Sequence, residues 1–277
     1  MIMELNVSEN LKNKYEALKT YLMELGSIAV GYSSGVDSTF LIKVAHEVLG
    51  DKAMAITVAS SLFPKREMNE AIKFCQDNGI KHRIIEVDEL GIPGFSENPT
   101  NRCYICKKDL FTRITEVANS EGISYVAEGS NMDDNGDYRP GLQAVAELGI
   151  KSPLRYVELY KDEIRTLSKA MDLQTWEKPS FACLASRFVY GEEITKDKLC
   201  MVEQAEDLLL EHGFKQFRVR IHGLVARIEV LPEDLPRFLD ASFRSEVVDS
   251  LKAYGFTYVS LDLQGYRTGS MNETILK

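Results

Sequence analysis

The sequence predicts an α/β protein, a parallel sheet flanked by helices and followed by a smaller C-terminal α+β domain. Three observations predict it. Apolar runs alternate with stretches of helical spacing over the first part of the chain. The runs are apolar right through, as in strands buried on both faces. Near residue 190 the pattern changes to alternating strands set between amphipathic helices. We therefore expect one domain over residues 1–190 and a second over 191–277, meeting at Tyr190–Gly191.

Residues 9–26 space Leu and Tyr at helical intervals and end on Gly26, a favourable terminator. SIAVGYS (27–33) reads as a first strand, and GVDSTFLIKVAHEVLG (35–50) as a helix closed by glycine. A second strand follows over 52–60, a helix opened by Pro64 over 64–80, and a third strand over 82–90. After the irregular GIPGFSENPTN (91–101), a helix runs from Cys103 to Ser120 and a fourth strand covers 123–130. Beyond the boundary, 195–213 is expected as a helix, 214–223 and 224–231 as strands, 232–240 as a helix and 256–263 as a last strand. Parallel sheets bind ligands beyond the carboxyl ends of their strands. That directs attention to residues 31–38, 59–64, 88–106 and 128–141.

The 277 residues are 44% hydrophobic and carry a net charge of −9, the profile of a soluble globular protein. No run approaches the roughly 20 apolar residues that span a bilayer. The first residues lack the apolar core of a signal peptide, so the expected location is the cytoplasm. Nucleic-acid affinity rests on phosphate neutralisation, and the acidic balance argues against such a partner. Five cysteines in a cytosolic chain are not a disulfide framework. Cys75 and Cys200 fall in helical patterns and are expected in the core. Cys103, Cys106 and Cys183 remain.

GYSSGVDSTF follows the first strand and opens a helix. Ser33, Ser34 and Gly35 are small, and Asp37 or Ser38 begins a helix whose N-terminus is partly positive. Together they make an anion site suited to phosphate. The loop lacks the lysine of a Walker A sequence. It resembles the SGGxDS signature of the PP-loop (N-type) ATP pyrophosphatases, with Ser34 where the first glycine usually sits. The resemblance implies that Ser33, Ser34, Gly35 and Ser38 hold the pyrophosphate of ATP and that Asp37 associates with Mg2+. The fourth strand ends in EGSNMDDNGDYRPG, where Gly129 can approach the nucleotide and Asp133, Asp134 and Asp137 offer oxygens.

Adenylation opens a carbonyl carbon to a nucleophile, and sulfur as that nucleophile needs cysteines nearby. Cys103 and Cys106 lie on the expected ligand side, and Cys183 sits in KPSFACLASRF. A lone CxxC is compatible with zinc, a redox pair or chance. A structural zinc wants a fourth ligand, and no histidine is near in sequence. A cubane on three thiolates leaves one iron open to an exogenous ligand.

SSGVDS, GDYRPGL, PSFACLASRFVYG, RVRIHG with ARIE, and GYRTGSMN together resemble the LarE family, from about residue 15 to residue 274. These are pyridinium-3,5-biscarboxylic acid mononucleotide sulfurtransferases of nickel-pincer nucleotide synthesis. The resemblance implies an adenine nucleotide alpha hydrolase-like fold, adenylation of a pyridinium carboxylate, and displacement of AMP by sulfur. In some members one cysteine, here Cys183, is a sacrificial donor. Cys103 and Cys106 match the three-cysteine members, which implies a [4Fe-4S] cluster on Cys103, Cys106 and Cys183 that receives sulfide or sulfur from a donor. A homo-oligomer is also implied. The alternative enzyme is a tRNA thiolation protein with the same loop and cluster.

In FRVRIHG, Arg218 and Arg220 share a strand face, and Arg227 and Glu229 share one in ARIE. Adjacent guanidinium groups need an anion or carboxylates between them, unless the face is a solvated ion-pair surface. The family implies a phosphate or metal site at Glu206, Arg218, Arg220 and Glu229, with Arg237 where some members are acidic. That departure favours an anion over a metal. Arg187, four residues after Cys183, is a further candidate for phosphate or substrate, or else a surface arginine.

Overall fold

The computed structural model describes residues 7–136, 140–179 and 183–275. It divides into two compact units, one of residues 1–87 and 103–181, the other of residues 88–102 and 182–277. The division thus falls at Phe181–Ala182 where the sequence reading expects Tyr190–Gly191, and it gives the irregular segment 88–102 to the second unit.

In the first unit the elements are α1 (Glu9–Leu25), β1 (Ile28–Gly31), α2 (Val36–Leu49), β2 (Ala53–Ala59), α3 (Lys65–Asp77) and β3 (Lys81–Glu86). They continue with α4 (Arg102–Ser120), β4 (Val126–Ala127), α5 (Gly141–Glu147), α6 (Pro153–Tyr156) and α7 (Lys161–Ala170). Ser8 caps α1 by accepting the Leu11 N–H, and Gly26 closes it at φ 72°, a left-handed conformation that glycine adopts without strain. The strands pair in parallel in the order β3-β2-β1-β4.

Alternation along the strands supplies both faces of this sheet. Ile28, Val30, Ala53, Ala55 and Ala127 pack with Leu18, Phe40, Leu41 and Leu167 of the helices α1, α2 and α7. Ala29, Met54, Ile56 and Val126 pack with Phe111 and Ile114 of α4 and Val145 of α5. The result is the three-layer sandwich expected of a parallel sheet.

Two strands differ from the sequence reading. β3 occupies the edge and is largely exposed rather than apolar throughout, because only β2 pairs with it. β4 shrinks to two residues: on its outer side it meets only Lys151, whose N–H donates to the Val126 carbonyl at 2.8 Å and whose carbonyl accepts the Glu128 N–H at 2.9 Å.

The second unit contains α8 (Lys196–Glu211), β5 (Phe217–His222), β6 (Val225–Val230), α9 (Ala241–Ala253) and β7 (Tyr258–Leu261). β5 and β6 form an antiparallel hairpin, and β7 adds to β6 in parallel. Residues Pro232–Leu239 form a 3-10 segment instead of the expected α-helix, since Pro236 inside it lacks the N–H an α-helix requires. Thr195 and Asp240 cap α8 and α9. Cys75 is buried as expected, and burial pushes its thiol up to about 12. Cys200 is exposed, which corrects its expected place in the core: α8 buries Leu199, Val202, Ala205 and Leu209, and Cys200 lies off that face. Among the described residues no helix is long and apolar enough to cross a membrane.

Phe40 is fully buried between the sheet and α1. Phe40→Ala should cost about 3–5 kcal/mol of stability by urea denaturation, the usual loss for emptying an aromatic core position.

Candidate active site

The sheet order reverses at β1, since the chain first builds outward through β2 and β3 and then returns to place β4 on the other side. Loops leaving the carboxyl ends of β1 and β4 therefore meet at a topological switch point. Both loops contain candidates read from the sequence.

After β1, Ser33 Oγ and Ser38 Oγ lie 3.2 Å apart, and Ser38 Oγ accepts the Ser33 N–H at 3.3 Å. Gly35 is the N-cap of α2. The first turn of that helix leaves N–H groups without intrahelical acceptors, a ready anion cradle. A Cβ on Gly129, from the β4 loop, would come within 3.1 Å of Ser38 N and 3.3 Å of Asp37 Cβ. Glycine there lets the two loops touch. The structure thus brings Ser33, Ser34, Gly35, Asp37, Ser38 and Gly129 together.

Asp37 faces a cation. Lys161 Nζ, at the start of α7, is 2.5 Å from its Oδ2, and Asn131 Nδ2 donates to its Oδ1 at 3.3 Å. Burial raises the Asp37 carboxyl above its ordinary value, against the opposing pull of Lys161, while Asp134 adds to the rise. Asp133 Oδ2 accepts the Lys161 N–H at 2.7 Å and Asp134 Oδ2 the Asn131 N–H at 3.0 Å, so both knit the loop. Asp137 and the DYR of the GDYRPGL motif lie outside the described residues, as do Ser180, Phe181 and Ala182.

Mg2+ is commonly held by one or two carboxylates together with substrate phosphates and water. Asp37 offers a carboxylate of that kind beside the Ser33–Ser38 loop, where the Lys161 ammonium on its Oδ2 would have to give way to the ion. Among the described residues no group of three or more His, Cys, Asp or Glu is gathered to hold a metal ion. Cys103 and Cys106 stand in the first turn of α4, exposed and half-buried, at the i, i+3 spacing that puts side chains on one face. Lys107, the next residue, reaches Glu128 Oε2 at 3.6 Å, and Glu128 also accepts from Ser130 and Ser152. This ties the CxxC turn to the end of β4. Cys183, exposed, belongs to the second unit. Cys103 and Cys106, soft thiols on one helical face, have the donor chemistry of an iron–sulfur centre.

In the second unit Arg187 and Glu206 form a bidentate pair, Nε to Oε1 at 2.8 Å and Nη2 to Oε2 at 2.7 Å. Both are buried, so Arg187 is not a surface arginine. Its Nη1 donates to the Cys183 carbonyl at 3.1 Å, fixing the turn that carries the cysteine. Arg220 donates to Glu229 at 3.0 Å and to the Ser186 carbonyl at 2.9 Å. Arg218 and Glu229 are cross-strand partners, as are Arg220 and Arg227. Burial, with Arg187 and Arg220 nearby, pushes the Arg218 guanidinium down to about 10 although Glu206 opposes it. Burial alone would raise Glu206, yet Arg187 and Arg218 hold it below the usual carboxylate range. The buried arginines 187, 218 and 220 outnumber the buried glutamates 206 and 229. The solvated ion-pair face considered from the sequence is therefore not what forms. Arg237 stands apart, stacked 3.7 Å from the Phe214 ring centroid and donating to the His212 carbonyl.

Several partners have no signature in the sequence. Lys161, Glu67 and Lys178 come to the Ser34–Asp37 segment from distant parts of the chain. Asn98, buried at φ 53°, bonds the Val189 carbonyl, and Arg102 bonds the Ala185 carbonyl. The one available signal is that Arg102 directly precedes Cys103.

A parallel sheet with a glycine- and serine-lined loop at its switch point and no Walker lysine defines the PP-loop ATP pyrophosphatase class. The NAD synthase family model matches residues 10–118, the span from α1 through most of α4. The pyridinium-3,5-bisthiocarboxylic acid mononucleotide synthase of Lactiplantibacillus plantarum is 35% identical over 96% of both chains. An uncharacterised protein of Synechocystis is 42% identical over 96% of this chain and 100% of its own, and one of Methanocaldococcus jannaschii 28% over 95% and 97%. The chain belongs to the LarE family, within a class of ATP-using enzymes.

Removing Arg187 deprives the buried Glu206 of its bidentate partner. Arg187→Met should destabilise the protein by about 3–5 kcal/mol in urea denaturation. Adding Glu206→Leu should recover part of that loss, because the stranded charge is then gone.

Proposed function

We propose that this protein is an ATP-dependent sulfurtransferase that converts a carboxylate of a pyridinium-3,5-biscarboxylic acid mononucleotide into a thiocarboxylate, as in nickel-pincer nucleotide synthesis. The observation that carries the reading is the meeting of the small-residue loop, the start of α2 and Asp37 at the β1/β4 switch point. The activity named for the Lactiplantibacillus plantarum relative supplies the substrate.

A carboxylate oxygen of the substrate attacks the α-phosphorus of ATP, and pyrophosphate departs with the electron pair of the broken P–O bond. Ser33, Ser34, Gly35 and Ser38 hold that leaving group through backbone N–H groups and the Ser33 and Ser38 hydroxyls, with Gly129 keeping the β4 loop close. Asp37 would hold Mg2+, which neutralises charge on the departing phosphates. A sulfur nucleophile then adds to the acyl carbon, and AMP leaves with the electrons of the C–O bond. Cys103, Cys106 and Cys183 would hold a [4Fe-4S] cluster, which would supply the sulfur for transfer. Arg187, Arg218 and Arg220, with Glu206 and Glu229 among them, would form the site for the phosphate or carboxylates of the substrate.

Protein purified without oxygen should contain about four irons per chain with matching sulfide, and Cys103→Ala should abolish both. An iron-free protein that fails reconstitution and loses one sulfur from Cys183 during turnover would instead mark Cys183 as a consumed donor. Adenylation is tested by pyrophosphate release that depends on the pyridinium substrate. Asp37→Asn should slow it by about a hundredfold or more, the scale of losing one electrostatic contact to developing charge. Release with no acceptor dependence would overturn the substrate assignment.

A further inference from the structure

Ser34 adopts φ 51° and is buried, a conformation that is strained for a residue with a Cβ and free for glycine. Other contacts hold it there. Ser34 Oγ donates to Glu67 Oε2 at 2.8 Å, from the first turn of α3. Lys178 Nζ lies 2.6 Å from the same Glu67 oxygen, 3.2 Å from the Ser34 carbonyl and 3.3 Å from Ser34 Oγ, and it also reaches Glu70 at 2.5 Å. Glu67 is buried, and its second oxygen, Oε1, has no hydrogen-bond partner among the described residues. The bonds of this carboxylate that fall on Oε2 thus join the loop to Lys178.

We propose that Glu67 and Lys178 are positioning residues of the phosphate loop, holding Ser34 in the left-handed conformation that a glycine would adopt unaided. Glu67 fixes the hydroxyl, and Lys178 fixes the carbonyl while neutralising Glu67 and Glu70. Without the lysine, Glu70 would lose the ammonium at 2.5 Å, and Glu67 would keep only Arg66, 3.8 Å from its Oε1, beside the loop that receives a polyphosphate. The proposal rests on reading Ser33–Ser38 as the nucleotide loop. It adds that the departure at Ser34 is compensated by residues far away in sequence.

The test is a double-mutant cycle read by calorimetric titration of the full chain with Mg-ATP, each variant's melting curve being recorded alongside. Glu67→Gln removes the charge-assisted bond while keeping the shape. In the Ser34 background it should weaken Mg-ATP binding about tenfold, and Lys178→Met should do at least as much. In a Ser34→Gly background, Glu67→Gln should weaken binding less than about twofold, because glycine needs no hydroxyl anchor. A purely structural role for Glu67 would give equal losses in both backgrounds together with lower melting temperatures. Equal losses with unchanged melting would mean direct electrostatic action on the nucleotide. Either result overturns the inference while leaving the nucleotide reading intact. An unsubstituted protein that binds no Mg-ATP would overturn that reading and this inference with it.

Discussion

β1 pairs in parallel with β2 on one side and β4 on the other, and the candidate nucleotide site follows from that double pairing. A parallel neighbour cannot be reached by a hairpin, so every connection crosses over a face and all strands point the same way. Both loops flanking the reversal then emerge at the same end of the sheet. What remains is how closely they approach, and that is decided at Gly129, where a side chain would strike the first turn of α2. From this packing come the position of Asp37, the reach of Lys161 and the place of Ser33–Ser38.

The second unit is organised by charge taken out of water. Burying Arg187, Arg218 and Arg220 with Glu206 and Glu229 is costly, and attraction repays it only when the geometry is good and the remaining donors are satisfied. Here the donors go largely to backbone and side-chain oxygens: Arg187 to the Cys183 carbonyl, Arg220 to the Ser186 carbonyl and Ser270 Oγ. The same contacts pin the short turn Leu184–Arg187 against β5, so the charged group shapes the backbone that carries the cysteine. A core of leucines of equal volume would be easier to bury, but it would leave those carbonyl oxygens without donors.

Local pattern made the first three strands and their helices legible, because alternation and glycine stops act within a few residues. The turn at Ser33–Ser38 was legible for the same reason, being one short stretch between a strand and a helix. Its supports were not, since Glu67, Lys178 and Lys161 arrive only after folding. Periodicity also misled at Cys200, one residue past the buried Leu199 and therefore about 100° around the helix. At residues 232–240 the apolar spacing looked helical, and Pro236 decided otherwise. Arg218 and Arg220 were correctly placed on a strand, but burial depends on what packs over them, which α8 and its Glu206 supply.

The exposed edge at β3 bears on how copies of this chain meet. An unpaired strand edge invites another strand, and charge is the usual deterrent. Lys81 and Arg83 both reach Glu121, at 2.7 and 2.6 Å, which lays a salt-bridged, hydrated border along that edge beside the half-exposed Ile84. A second molecule extending the sheet there would have to strip water from those charges. Self-association by continuous sheet is disfavoured on this side, and with it the ordered stacking through which flat edges precipitate.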